Sequence, residues 1–150
     1  MLQSLYRENN PEQPPNQYYT EIIRLISRAK TGIVLFGWYS PLMEIHETLD
    51  RIQRLPDKGV LVRAIFSEDD DPHSLEEIAK DTAFIRIKKR PDVIKAGYVV
   101  IDDHTVAYWR FDGEEYQNER IMPYNFSIAK KFNKSFEKEW MSLPEKNDWI

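Results

Sequence analysis

Residues 95–111 read KAGYVVIDDHTVAYWRF. Tyr98, Val99, Val100 and Ile101 form a short apolar run rich in β-branched side chains. Asp102, Asp103 and His104 follow as a polar turn whose side chains can hydrogen-bond their own backbone. Val106, Ala107, Tyr108 and Trp109 then resume a β-prone run. The pattern predicts strand, acidic turn, strand. Apolar residues on both faces place this hairpin in the middle of a sheet, because an edge or half-solvated strand would alternate apolar with polar.

Upstream of the hairpin the chain alternates between helical and strand patterns. Tyr19, Ile22, Ile23, Ile26 and Ala29 recur at helix spacing and predict a helix over 18–30, with Asn16 as its cap and Thr31-Gly32 as its end. Ile33 to Trp38 is a continuous apolar run, the signature of a buried strand. Ser40-Pro41 opens a second helix, with the serine as N-cap and Leu42, Ile45, Leu49 and Ile52 on its inner side. Pro56 to Gly59 is a turn, and Val60 to Phe66 a strand. Asp71-Pro72 begins a short helix through Lys80, and Phe84, Ile85 and Ile87 mark another strand. Lys88, Lys89, Arg90 and Lys95 read as a basic loop leading into the hairpin. Phe111 to Asn118 reads as a polar loop. A last helix is predicted from about Asn125 to Met141, burying Phe126, Ala129, Phe132, Phe136 and Trp140.

This order predicts an α/β domain with a mostly parallel sheet that gains antiparallel strands late. Residues 1–17 hold Pro11, Pro14 and Pro15 and read as a polar linker or tail; residues 144–150 read as a C-terminal tail, leaving 18–143 as the domain. At 150 residues, with 41% apolar and 13% aromatic side chains, one domain with a sizeable core is expected. The chain has no cysteine, which excludes disulfides, zinc thiolate sites and cysteine nucleophiles. No apolar run is long enough to span a bilayer, and the N-terminus is too polar for a signal peptide, so a cytoplasmic location is expected. The net charge of −4 argues against nucleic acid as a partner of this chain alone.

Taken together, four segments carry a resemblance. YYTEIIRLISRAKTGIVLFGWYSP (18–41), GVLVRAIF (59–66), KAGYVVIDDHTVAYW (95–109) and FNKSFEKEW (132–140) resemble, in order and spacing, one half of a phospholipase D-like domain. The resemblance implies a sandwich in which a twisted mixed sheet is flanked by helices. It also implies where catalysis should lie, in an HxKxxxxD motif whose histidine is the nucleophile and whose lysine holds a phosphate oxygen. With Asp102 as the motif's aspartate, Gly97 stands at the lysine position and Lys95 at the histidine position. With Asp103 instead, Tyr98 and Ala96 stand there. Neither reading supplies the histidine. The resemblance therefore implies a degenerate, non-catalytic domain, similar to the C-terminal sensor half of TrmB-like transcription regulators.

The candidate residues follow from both lines of reasoning. Trp38 and Tyr39 lie at the C-terminal end of the first strand, where open α/β sheets place ligand crevices. With Lys95, Asp102 and Trp109 they form the expected ligand-binding set. Lys88, Lys89 and Arg90 are the expected anion-binding set, with a solvated, charge-balanced loop as the plainer reading. Asp102, Asp103 and His104 could suit a hard cation through the paired carboxylates, but adjacent turn residues point apart and no further ligand is visible; they read as a hairpin turn, and no metal and no cofactor is assigned. His46 and His73 read as surface residues. The expected function is ligand sensing or protein interaction within a regulator, with a small-molecule or anionic ligand and a homodimer as partners. Two alternatives stand beside it: a phosphodiesterase or nuclease with a rearranged site, and a module docking on anionic lipid or nucleic acid.

Overall fold

The computed structural model describes residues 15–144. Residues 1–14 of the expected linker and 145–150 of the expected tail lie outside the described residues. Five strands alternate with or follow helices in the order anticipated, and a sixth strand was not foreseen. The elements are α1 (Pro15–Ser27), β1 (Gly32–Phe36), α2 (Ser40–Met43), α3 (His46–Arg54), a 3-10 turn (Leu55–Lys58), β2 (Leu61–Ser67), α4 (His73–Ala79), β3 (Ile85–Arg90), β4 (Ala96–Ile101), β5 (Thr105–Phe111), β6 (Tyr116–Met122) and α5 (Phe126–Met141).

The strands form one six-stranded sheet in the order β3-β2-β1-β4-β5-β6. β1, β2 and β3 run parallel, and β4 pairs antiparallel with β1. β4, β5 and β6 form an antiparallel meander. The quoted hairpin is β4–turn–β5, and β4 sits at the sheet's centre with Gly97 to Ile101 all buried. Asp102 and Asp103 take φ of 53° and 63°, the left-handed region that aspartate tolerates better than bulkier residues. The architecture is the twisted mixed sheet flanked by helices that the resemblance implied.

The two sheet faces are closed differently. Ile33, Leu35, Val62, Ala64, Phe66, Ile85, Ile87, Val99, Ala107 and Trp109 point to the side covered by α1 to α4. Val34, Ile65, Tyr98, Val100 and Val106 point to the side covered by α5, whose Ala129, Phe136 and Trp140 fill it. Asn125 caps α5: its side-chain oxygen accepts the Ile128 N–H at 3.1 Å, satisfying one of the amides a helix start leaves unpaired. The Tyr98 and Phe132 ring centroids are 4.6 Å apart across the interface between the sheet and α5.

Several local expectations are corrected. α1 starts at Pro15, so Asn16 lies inside the helix instead of capping it. The second predicted helix is two, because Ile45 adopts extended backbone between α2 and α3, and Tyr39 rather than Ser40 is the N-cap of α2. Phe126 is 63% exposed at the first turn of α5, off the inner stripe. The stretch read as a polar loop, Phe111 to Asn118, runs from the end of β5 into the first residues of β6, an edge strand rich in polar residues. Lys88, Lys89 and Arg90 belong to β3, not to a loop. The buried Lys88 Nζ donates to the Trp140 and Leu143 carbonyls at 2.8 and 2.9 Å and lies 4.5 Å from the Trp140 ring. It thus satisfies the carbonyls that the end of α5 leaves open.

Candidate functional site

The chain leaves β1 through Phe36, Gly37, Trp38 and Tyr39. Gly37 has φ of +98° and its N–H donates to the Ile65 carbonyl at 2.8 Å, which turns the chain sharply over the sheet's end. Because β4 is antiparallel to β1, the start of β4 lies at this same end, with Tyr98 opposite Phe36. Hairpin register then sets Gly97 opposite Trp109. Trp38, Tyr39, Trp109 and the backbone of Lys95 therefore lie at the same end of the sheet.

They do not form an open pocket wall. Tyr39 is fully buried and Trp109 is 3% exposed. The Tyr39 ring stacks on Trp109 at 4.6 Å and 29°, and meets Tyr116 edge-on at 4.7 Å. Tyr18 and Tyr19 of α1 close the other edges at 5.9 and 5.8 Å. Beneath this stack, a Cβ placed on Gly97 would stand 2.5 Å from the Trp109 indole and 2.6 Å from the Phe36 carbonyl oxygen. No side chain longer than hydrogen fits there without displacing the indole. The expectation that Tyr39 and Trp109 line a ligand pocket is corrected on this ground: the aromatic rings fill the space themselves.

The polar edge of the stack is equally committed. The Tyr39 hydroxyl donates to the Glu119 carboxylate, a β6 residue that the sequence reading did not single out. Burial raises the Tyr39 phenol far above its ordinary value, and the Glu119 carboxylate raises it further, so it stays a neutral donor. The Ser40 hydroxyl and Tyr116 hydroxyl are 3.3 Å apart. Trp38 is half-buried and packs edge-on against Phe66 at 5.4 Å. Lys95 is exposed; its carbonyl accepts the Phe111 N–H at 2.7 Å, while its ammonium has no partner among the described residues.

Asp102 is at the other end of β4, roughly 20 Å away along a strand rising about 3.3 Å per residue. Its placement with Trp38 and Lys95 in one ligand set is corrected. The carboxylate accepts the backbone N–H groups of Lys30, Thr31 and Gly32 at 2.8–3.1 Å, and the Thr31 hydroxyl at 3.0 Å. Burial alone would raise its pKa, but these donors together hold the carboxyl below the ordinary carboxylate value. Asp102 clamps the α1–β1 connection.

The expected anion-binding set is also dispersed. Lys89 pairs with Glu76 at 3.3 Å on the α4 side. Arg90 pairs with Glu139 at 3.2 Å and lies 5.5 Å over the Phe36 ring. Lys88 is buried beneath the end of α5 as described. A cavity of about 680 Å³ lies elsewhere, between α5 and the first residues of β1 and β2, lined among others by Val34, Arg63, Phe126 and Lys130. None of the five candidate ligand residues lines it. His46 and His73 are exposed, and the His104 ring bonds the Thr105 hydroxyl at 2.7 Å and stacks on Tyr124. None stands at the end of β1. Among the described residues no three His, Cys, Asp or Glu side chains are grouped to hold a metal ion.

This sheet order and helix arrangement define a phospholipase D-like fold, and solved structures match it. Nuc from Salmonella typhimurium, a phospholipase D family member, superposes with a TM-score of 0.62 at 16% identity, over 84% of this chain and 88% of its own. NucT from Helicobacter pylori does so at 0.65 and 12% identity, over 87% and 91%. TrmBL2, an archaeal chromatin protein with a novel mode of DNA binding, gives 0.66 at 14% identity, over 85% of this chain and 50% of its own. The chain thus spans half the length of TrmBL2. No protein-family model and no curated protein matches the sequence. A DNA-binding protein among these structures means that the expectation against nucleic acid as a partner is not borne out.

Proposed function

We propose that this chain is a non-catalytic interaction domain of phospholipase D-like fold, the effector or dimerisation part of a regulator. The observation that carries the reading is Gly97 beneath Trp109 and Tyr39. The resemblance puts a phosphate-holding lysine at position 97 and a nucleophilic histidine at position 95. Position 97 has no room for a side chain, and position 95 offers a lysine exposed to solvent. Phosphoryl transfer by a covalent route needs a nucleophile and a group that protonates the leaving oxygen. TrmBL2, described as a chromatin protein, supports a regulator-related setting. In this reading residues 18–143 act as one unit, in the cytoplasm, and pair with a second copy.

The test is turnover of bis(p-nitrophenyl) phosphate, single-stranded DNA and phosphatidylcholine by the purified chain. The expected result is none above background. Hydrolysis that survives purification and disappears in Lys95→Ala would overturn the reading in favour of a rearranged phosphodiesterase.

A further inference from the structure

The molecule's charge is divided between its two faces, and the division goes beyond the plugged site. The layer of α1 to α4 and its loops carries the acidic runs, Glu44 to Asp50 and Glu68 to Asp71. The α5 face is the reverse. Lys131, Lys134 and Lys138 follow one another at i, i+3 and i+7 along the outer crest of α5, and Lys130 stands beside them. Arg110 and Arg120 lie on the same side of the sheet: Arg110 is two residues from Tyr108, and Arg120 pairs with Tyr108. All six are exposed, and none has an ion-pair partner among the described residues. The carboxylates of α5 do not offset them, because Glu137 is bound by Arg63 and Glu139 by Arg90. A net charge of −4 conceals this face.

We propose that the α5 face docks on the phosphate backbone of duplex DNA. The lysine crest spans about 10 Å at 1.5 Å per residue, close to three base steps of one strand. Flanking Arg110 and Arg120 widen the cationic surface across β5 and β6. The acidic opposite face would orient the approach. From Lys130 to Lys138 the crest carries no apolar side chain, and the exposed Phe126 and Met141 stand singly at its two ends; a membrane surface needs a continuous apolar face to enter the lipid, and the crest has none. It also carries no aromatic ring on which single-stranded bases could stack; the exposed Tyr124 and Phe126 stand ahead of the stripe. Lysines without base-reading partners contact phosphates alone, so binding is independent of sequence and steeply salt-dependent.

The experiment is fluorescence anisotropy of a short labelled DNA duplex titrated with the full chain, from about 50 to about 200 mM salt. One variant carries Lys131→Gln, Lys134→Gln and Lys138→Gln. A second carries the same charge change on the other layer, as Arg28→Gln, Arg54→Gln and Lys80→Gln. Circular dichroism confirms that both are folded. The expected result is that the crest variant binds at least about tenfold more weakly at the lowest salt and that its salt slope falls by about 2 to 3, near 0.9 for each lost contact. The second variant should keep both. Absence of duplex binding by the unaltered chain at low salt would overturn the proposal, as would equal losses in the two variants. Capture by phosphatidylcholine vesicles containing about one-third phosphatidylserine, through the same lysines and without duplex binding, would assign the face to membranes instead.

Discussion

At one end of β4, Gly97 lies under the Trp109 indole; at the other, Asp102 is ringed by amides. The phospholipase D-like resemblance places residues of one motif at both ends. The first end is apolar and closed, with Tyr39 completing the stack and Glu119 accepting its hydroxyl. The second end keeps its carboxylate, and the carboxylate has structural work that requires no substrate. It fixes the chain between α1 and β1, next to the strand that β4 pairs with. The two ends of one strand thus answer to different physical demands: one is filled by packed rings, the other is held by a charged hydrogen-bonded clamp.

The largest effect is expected at the closed end. Trp109→Ala removes a nearly buried indole and leaves Tyr39 without its stacking partner, and such truncations typically cost about 3–5 kcal/mol. Lys95→Ala, a few residues away in the same end but exposed, should change stability by less than about 0.5 kcal/mol. Urea unfolding of both variants measures the contrast. Similar small losses would mean that the stack does not hold the end closed.

A smaller effect is expected at the clamp. Asp102→Asn keeps a side chain that tolerates the left-handed turn but removes the charge that three amides address. The expected loss at neutral pH is about 1.5–3 kcal/mol, the range for hydrogen bonds to a charged group. Its pH dependence has a definite sign. The native carboxyl sits below its ordinary value of 3.8, so its contribution is present above that value and is lost as pH falls through the native one. The gap between the two proteins should be full at neutral pH and shrink below about pH 4. Melting curves at both pH values check this, and a gap that stays constant would remove the clamp from the account.

The residues that were legible in sequence are those whose pattern repeats. The central hairpin, the buried first strand and the aromatic stripe of α5 all show period and composition together. β6 was not legible, because Tyr116 to Met122 is an edge strand with polar residues on both sides and no alternation to detect. Lys88 to Arg90 were misread because three cations resemble a loop, and nothing local reveals that the end of α5 will lie over Lys88. The filled site was partly within reach. A three-residue turn at Asp102 to His104 fixes the pairing of Ile101 with Thr105, and counting back sets Gly97 against Trp109. A large ring opposite a strand glycine tends to fold over it. Glu119 gave no such signal, since its meeting with Tyr39 depends on the irregular pairing between β5 and β6.

The central claim is that Trp109 occupies the space above Gly97, and the sign of one stability change tests it. Glycine within a strand normally costs about 0.5–1 kcal/mol relative to alanine. In an open site, Gly97→Ala would therefore stabilise the domain by about that amount. With the indole and the Phe36 carbonyl within 2.6 Å of the added carbon, the account predicts a loss instead. That loss should be about 1–3 kcal/mol, the usual cost of overpacking. Urea unfolding of Gly97→Ala beside the unaltered chain reads the sign directly. A destabilised variant is the predicted result, and a variant as stable as the unaltered chain or more so would contradict the account.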